Sequence, residues 1–328
     1  MKGSVVMMFL NDGQRSVTVC PSVASAAHTS AICFPWAFCT GKRVCVTYVI
    51  FTGKAYNTVP MSNVILVFGY HDQEAPRHWN ICRELRAQGY EIRECHTSAK
   101  GFLGKCADLW QQYRGQGIGA ATVLVTFPGH YLVLFAWILT RFPRRRLLFD
   151  TFISLHDTTV DDRKLISQWN PDAAFLFLVD CISCQLADEV LIDTETNRQF
   201  FIRRFHLNPK KIRVIYLGTR SDLFLPRPKN DQRSTKASFD VFFYGTYIPL
   251  QGVDVIIDAA RILEKDHPEI HFTLVGTGQT YGAMRARAEG LKNITFRDRV
   301  RYRDLPHLIG SSDLCLGIFG TTLKAARV

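Results

Sequence analysis

Ala121-Thr-Val-Leu-Val-Thr126 is a continuous apolar run bounded by turn-forming residues, the pattern of a parallel strand buried on both faces. Upstream, Asn63-Val-Ile-Leu-Val-Phe68 repeats the pattern and stops at Gly69. Pro76 then suits the first turn of a helix, Trp79, Cys82 and Leu85 recur at helical spacing, and Gly89 suits the C-terminal cap. A short strand Glu91–Cys95 precedes the central run. After it the pattern predicts a helix over Leu132–Leu139, a strand Arg146–Phe149, a helix around Ala173–Leu186 and a strand Glu189–Ile192. A further helix, Glu195–Phe205, follows a capping Thr194. Strand and helix in alternation predict an α/β chain with a doubly wound parallel sheet.

Pro226 to Lys236 is polar and charged and holds two prolines, which reads as an interdomain linker. A second α/β unit follows. Phe239–Tyr244 is a strand, and Val253, Ile256, Ile257, Ala260 and Leu263 share one helical face. Ile270–Val275, Ile294–Phe296 and Leu314–Leu316 supply further strands. Four strands are fewer than a complete doubly wound domain holds, so the second unit is expected to be incomplete. The expected organisation is an arm or non-native, poorly ordered extension over 1–60, a domain over 61–225, a linker over 226–238 and a partial domain over 239–328.

The 328 residues are 47% hydrophobic and 21% charged, which excludes disorder, collagen and coiled coil for the chain as a whole. The formal charge of +11 suggests anionic partners without choosing among them. Ten scattered cysteines need no disulfide framework, and Cys181-Ile-Ser-Cys184 has no second pair at zinc-ribbon spacing, so it reads as packing in a helix. Tyr131–Leu139 is about half the length of a membrane span and runs into Arg141, Arg144, Arg145 and Arg146, as a buried or interfacial helix does. Residues 1–60 carry five Lys/Arg against the single acid Asp12 and show no sustained period.

In open parallel sheets, ligands bind beyond the carboxyl ends of the strands. Four loops qualify. Gly276-Thr-Gly278 follows a strand, but a dinucleotide fingerprint needs glycine at Tyr281, and the glycine is Gly282. It reads either as a tight turn or as a backbone approach to phosphate or sugar. Gly245-Thr246 opens a glycine-bounded loop, closing at Gly252, that presents amides to an anion. Asp150, His156 and Asp157 form the densest polar cluster behind an apolar strand, suiting acid/base work or the ordinary polarity of a loop. Arg297, Arg299, Arg301 and Arg303 alternate with Asp298 and Asp304; the aspartates weaken a nucleic-acid reading and leave phosphate contact or a solvated edge.

Taken in order, these segments resemble the retaining glycosyltransferases of the GT-B fold, family 4. The match runs from Ala187–Thr194 through Phe200–Phe205, Lys211–Gly218 and Asp222–Pro226 to Phe243–Gly245 with Pro249–Asp254. It continues through Ala259–Leu263, His271–Gly278 and Ser311–Gly317. The resemblance implies two Rossmann-like domains facing across a cleft, with the acceptor on the first and a nucleotide sugar on the second. It implies transfer of a hexose from a nucleoside diphosphate sugar to a lipid-linked or saccharide acceptor with retention. No metal or other cofactor is implied. Asp150, His156 and Asp157 would handle the acceptor; Gly245, Thr246, Gly276, Gly278, Arg299 and Lys324 would bind the donor. The cluster Arg141 to Arg146 would allow docking on an anionic membrane, giving a cytoplasmic protein that is peripheral at the inner face, without a nucleic-acid partner. Where many relatives place an arginine and a lysine in the donor loop, this chain has Thr246 and Gln251. The usual carboxylate pair has no counterpart before Val328, so a truncated chain with little or no turnover is expected. Two alternatives share the architecture: a non-catalytic nucleotide-sugar-binding protein and a UDP-sugar epimerase.

Overall fold

The computed structural model describes residues 9–10, 63–225 and 238–327. The expected arm, apart from Phe9–Leu10, and the expected linker, apart from Ser238, lie outside the described residues. The described residues fall into two compact units, 63–220 with Arg327 and those of 221–326 with β1 (Phe9–Leu10).

The first unit runs β2 (Val64–Gly69), α1 (Pro76–Ala87), β3 (Glu91–His96), α2 (Phe102–Gln116), β4 (Thr122–Val125), α3 (Val133–Leu139), β5 (Arg146–Phe152), α4 (Pro171–Leu186), β6 (Glu189–Ile192), α5 (Glu195–Phe205) and β7 (Ile212–Val214). Its sheet has the order β3-β2-β4-β5-β6-β7, and every pairing is parallel. Successive residues of β2 enter different cores: Val64, Leu66 and Phe68 join one cluster, Ile65 and Val67 the other. Both faces of the sheet are therefore covered, which is why β2 and β4 read as unbroken apolar runs. The strand order reverses between β2 and β4, which places the switch-point crevice at their carboxyl ends.

Local signals act where expected. Pro76 occupies the first turn of α1, Gly89 follows that helix at φ 86°, and the Thr194 side chain accepts from the Asn197 amide at the start of α5. Helix α2 is absent from the sequence reading. Only Leu109 and Tyr113 of its fifteen residues are buried, while Phe102, Leu103 and Trp110 face solvent, so the apolar stripe that marks a helix is too thin to read. Strand β7 escapes for a different reason: it is a three-residue edge strand.

The second unit runs β8 (Phe239–Tyr244), α6 (Val253–Asp266), β9 (Ile270–Val275), α7 (Tyr281–Arg287), β10 (Ile294–Arg297), α8 (Leu305–Ser311) and β11 (Leu314–Cys315). Its sheet has the order β1-β11-β8-β9-β10, parallel except for the antiparallel β1–β11 pair. Val253, Ile256, Ile257 and Ala260 form the buried face of α6, as their spacing predicts. Here the order reverses between β11 and β8, so the crevice lies beyond Tyr244 and Cys315. Among the described residues, no helix is long and apolar enough to cross a membrane.

Candidate functional site

In the second unit, three loops meet at the carboxyl ends of the strands so closely that side chains are excluded. Gly245 donates its amide to the Val275 carbonyl at 3.0 Å, and the Tyr247 amide reaches the Thr277 carbonyl at 3.1 Å. The Phe319 amide closes the third side on the Gln251 carbonyl, also at 3.1 Å. Gly276 sits at φ 134°, and a Cβ there would lie 1.9 Å from the Gly245 carbonyl oxygen. A Cβ on Gly278 would lie 2.8 Å from the Tyr247 backbone, and one on Gly320 2.1 Å from the Leu250 carbonyl. Gly245, Thr246, Gly276 and Gly278 are thus brought together on one rim, lined by backbone. Arg299 stands exposed just past β10 on the same carboxyl edge. Lys324 is buried at 6% exposure and has an interaction partner.

In the first unit, the expected acceptor-side residues gather beyond β5. The strand ends on a pairing irregularity between Asp150 and Phe152, with Phe152 at φ 55°. A bulky residue in the left-handed region costs about 1–3 kcal/mol and turns the chain sharply out of the sheet. Asp150 is 2% exposed and clamped by Arg77, whose Nε and Nη2 donate to it at 2.7–3.0 Å. The remaining Arg77 Nη1 donates to the Ile215 carbonyl at 2.8 Å. Asp157 opens a π-helical turn, Asp157–Asp162, and its carboxylate pairs with Arg327. His156 is the more open of the three; its Nδ1 lies 3.4 Å from Asp161, and its ring meets Phe177 edge-on.

What holds this loop is a carboxylate that sequence reasoning does not select. Asp180, 1% exposed on α4, accepts from the Ser154 hydroxyl at 2.6 Å, the Leu155 amide at 3.0 Å and the His156 amide at 2.9 Å. Buried His130 lies 3.8 Å from it, and its Nε2 sits 2.9 Å from the Ile153 carbonyl. The sequence does carry a signal for Asp180: it is the one charge in Phe175-Leu-Phe-Leu-Val-Asp-Cys-Ile-Ser-Cys184, and a lone acid in an apolar helix needs donors aimed at it. Cys181 and Cys184 on the same helix are free, and burial pushes both thiols up, away from reactive thiolate chemistry.

Burial lowers the pKa of His130 below the usual 6.5, against the upward pull of Asp180, the Ile153 and Pro128 carbonyls, and Asp150. The folded ring is harder to protonate than the unfolded one, so stability is full above the unfolded value and declines as pH falls below it. Urea unfolding at pH 7.5 and 5.5 will show lower stability at the acid end, by at most about 1.4 kcal/mol per pH unit from this group. His130→Gln will flatten that slope; an unchanged slope would remove His130 from the acid response.

Residues 238–320, within the second unit, match the family Glycosyl transferases group 1. D-inositol 3-phosphate glycosyltransferase of Streptomyces scabiei is 25% identical over 157 residues, 44% of this chain and 35% of the relative. The same-named protein of Thermobispora bispora is 26% identical over 120 residues, 35% of this chain and 28% of the relative. The chain therefore spans about a third of the length of the curated relatives it matches. Among solved structures, sucrose-phosphate synthase of Thermosynechococcus elongatus aligns with a TM-score of 0.56 at 17% identity, over 79% of this chain and 77% of that one. Anabaena HepE, in complex with UDP and glucose, aligns with a TM-score of 0.51 at 17% identity, over 76% and 72%. The fold is that of GT-B glycosyltransferases, built here from two Rossmann-like units.

Proposed function

We propose that this chain binds a nucleoside diphosphate sugar on the rim formed by Gly245, Thr246, Gly276 and Gly278 and belongs to an enzyme that transfers a hexose with retention. The observation that carries the reading is the exclusion of any Cβ at Gly276 and Gly278 by the facing backbone, inside the stretch that matches the glycosyltransferase family. Backbone amides at the start of α6, and the cationic Arg299, would stabilise the negative charge that collects on the departing diphosphate. Lys324 is proposed for the same side. No metal is needed for this charge stabilisation, because amides and cations supply it.

On the acceptor side, Asp150 and Asp157 are each held by an arginine, so His156 is the group proposed to meet a saccharide or lipid-linked hydroxyl. Peripheral docking on an anionic membrane is proposed for the surface around Arg141, where Ile138 and Phe142 are 56% and 94% exposed. Arg144 and Arg146 there already pair with Asp188 and Glu189, which tempers their contribution.

Calorimetric titration of the chain with UDP- and GDP-sugars is the first test, followed by assay of nucleotide release with and without saccharide acceptor. Saturable binding of one nucleotide class, weakened at least about tenfold in Gly278→Val, is expected. Binding without release under any acceptor favours the non-catalytic reading. Failure of all nucleotides and nucleotide sugars to bind overturns the proposal.

A further inference from the structure

A second cluster, unrelated to nucleotide binding, sits at the other end of the chemistry scale: soft nitrogen donors beside one carboxylate. His71 lies two residues past β2, beside the crevice where the strand order reverses. His78 is in the first turns of α1, and Glu94 is on β3, which pairs with β2. His71 Nε2 is 3.6 Å from Glu94 Oε2, and His78 Nε2 is 3.8 Å from Glu94 Oε1. One ligand atom from each of the three residues lies within 4.8 Å of the others. A tetrahedral zinc site, with bonds of about 2.0–2.2 Å, separates its donors by about 3.4 Å. The two measured distances are near that value but run to the two different oxygens of Glu94, so the carboxylate spans both rings.

The environment raises the same question from another side. His71 is 2% exposed, yet among the described residues neither ring nitrogen has a hydrogen-bond partner, and His78 Nδ1, in a residue 7% exposed, has none either. Leaving a buried polar group unsatisfied costs about 1–3 kcal/mol, and in these two stacked rings, centroids 4.1 Å apart, an ion beside Glu94 would remove that cost at His71 Nε2. The surroundings are built to aim the donors. Gln73 donates to Glu94 Oε2 at 2.6 Å, fixing the carboxylate, and His96 packs edge-on against His71 with its Nε2 3.0 Å from the His71 carbonyl. Cys82 Sγ is 3.6 Å from His78 Nε2 but is not one of the three residues whose donor atoms converge within 4.8 Å.

We propose that His71, His78 and Glu94 bind one divalent transition-metal ion of the zinc class, leaving a coordination position open. Two imidazoles and a carboxylate favour zinc and its first-row neighbours over magnesium or calcium, which demand oxygen-rich shells. Arg86 brings a cation to the cluster: its Nη2 stands 3.6 Å from Glu94 on a side chain 55% exposed, free to swing into solvent as a metal enters.

The test uses the full chain, stripped with a chelator and titrated with zinc against a chromogenic competitor, and separately with cobalt for its visible absorption. One equivalent of zinc is expected, with affinity reduced about 100-fold in His71→Gln and in Glu94→Gln, and about tenfold in the supporting variant Gln73→Ala. Cys82→Ala should bind as the parent does. Glu94 is partly exposed, so its variant remains informative if His71→Gln fails to fold; circular dichroism reports that. The proposal is overturned if the parent binds no stoichiometric zinc, or binds it equally well in Glu94→Gln. Nucleotide binding does not enter the readout, so this result stands whatever the fate of the transferase reading.

Discussion

Replacing Gly276 by alanine should destabilise the second unit by about 3 kcal/mol or more and abolish nucleotide-sugar binding. The added methyl would lie 1.9 Å from the Gly245 carbonyl oxygen, and φ 134° is a conformation that L-residues rarely adopt. Neither strain can be relieved by a rotamer change, because the obstacle is backbone hydrogen-bonded to β9. Gly282 is the internal control. It lies in α7, and a methyl group there would meet nothing within 4 Å, so Gly282→Ala should be neutral or stabilising by up to about 1 kcal/mol. Urea unfolding with calorimetric titration separates the two. If Gly276→Ala unfolds at the parent's midpoint and still binds, the rim is not the tight backbone surface described above.

The second large effect concerns the Arg77–Asp150 pair. Arg77→Ala leaves a carboxylate of 2% exposure without its partner, and such a loss costs about 3–5 kcal/mol. It also frees the Ile215 carbonyl that Arg77 Nη1 satisfies. The double variant Arg77→Met with Asp150→Leu removes both charges and should recover most of that loss, because a buried ion pair gains little over a well-packed apolar pair. Chemical denaturation of the two variants beside the parent decides it. A single variant within about 1 kcal/mol of the parent would show that solvent reaches the pair. A double variant no better than the single would place the stabilisation in specific geometry.

Much of the architecture is legible because both sheets are covered on two faces, which writes each central strand as an unbroken apolar run. The six residues Val64–Gly69 are buried throughout, and the neighbouring strand Thr122–Val125 shows the same pattern. Helix α6 is legible from its one-sided apolar face, and α2 is not, since it buries only two side chains. The glycine rim can be read because glycine after a strand has few explanations. The first unit's site is harder. Arg77 and Asp150 are 73 residues apart and meet only through the folded sheet, and nothing local to either announces the other. His71 and His78 do not stand out, because each alone is an ordinary histidine; their meaning arises when β3 brings Glu94 beside both rings.

The rim closed to side chains sets the terms for redesign. Where a pocket is walled by main chain, exchanging residues at the wall itself yields misfolded protein instead of altered preference. A library seeking a new donor sugar should hold the glycines constant and diversify Thr246 and Arg299, whose side chains project from the scaffold those glycines allow.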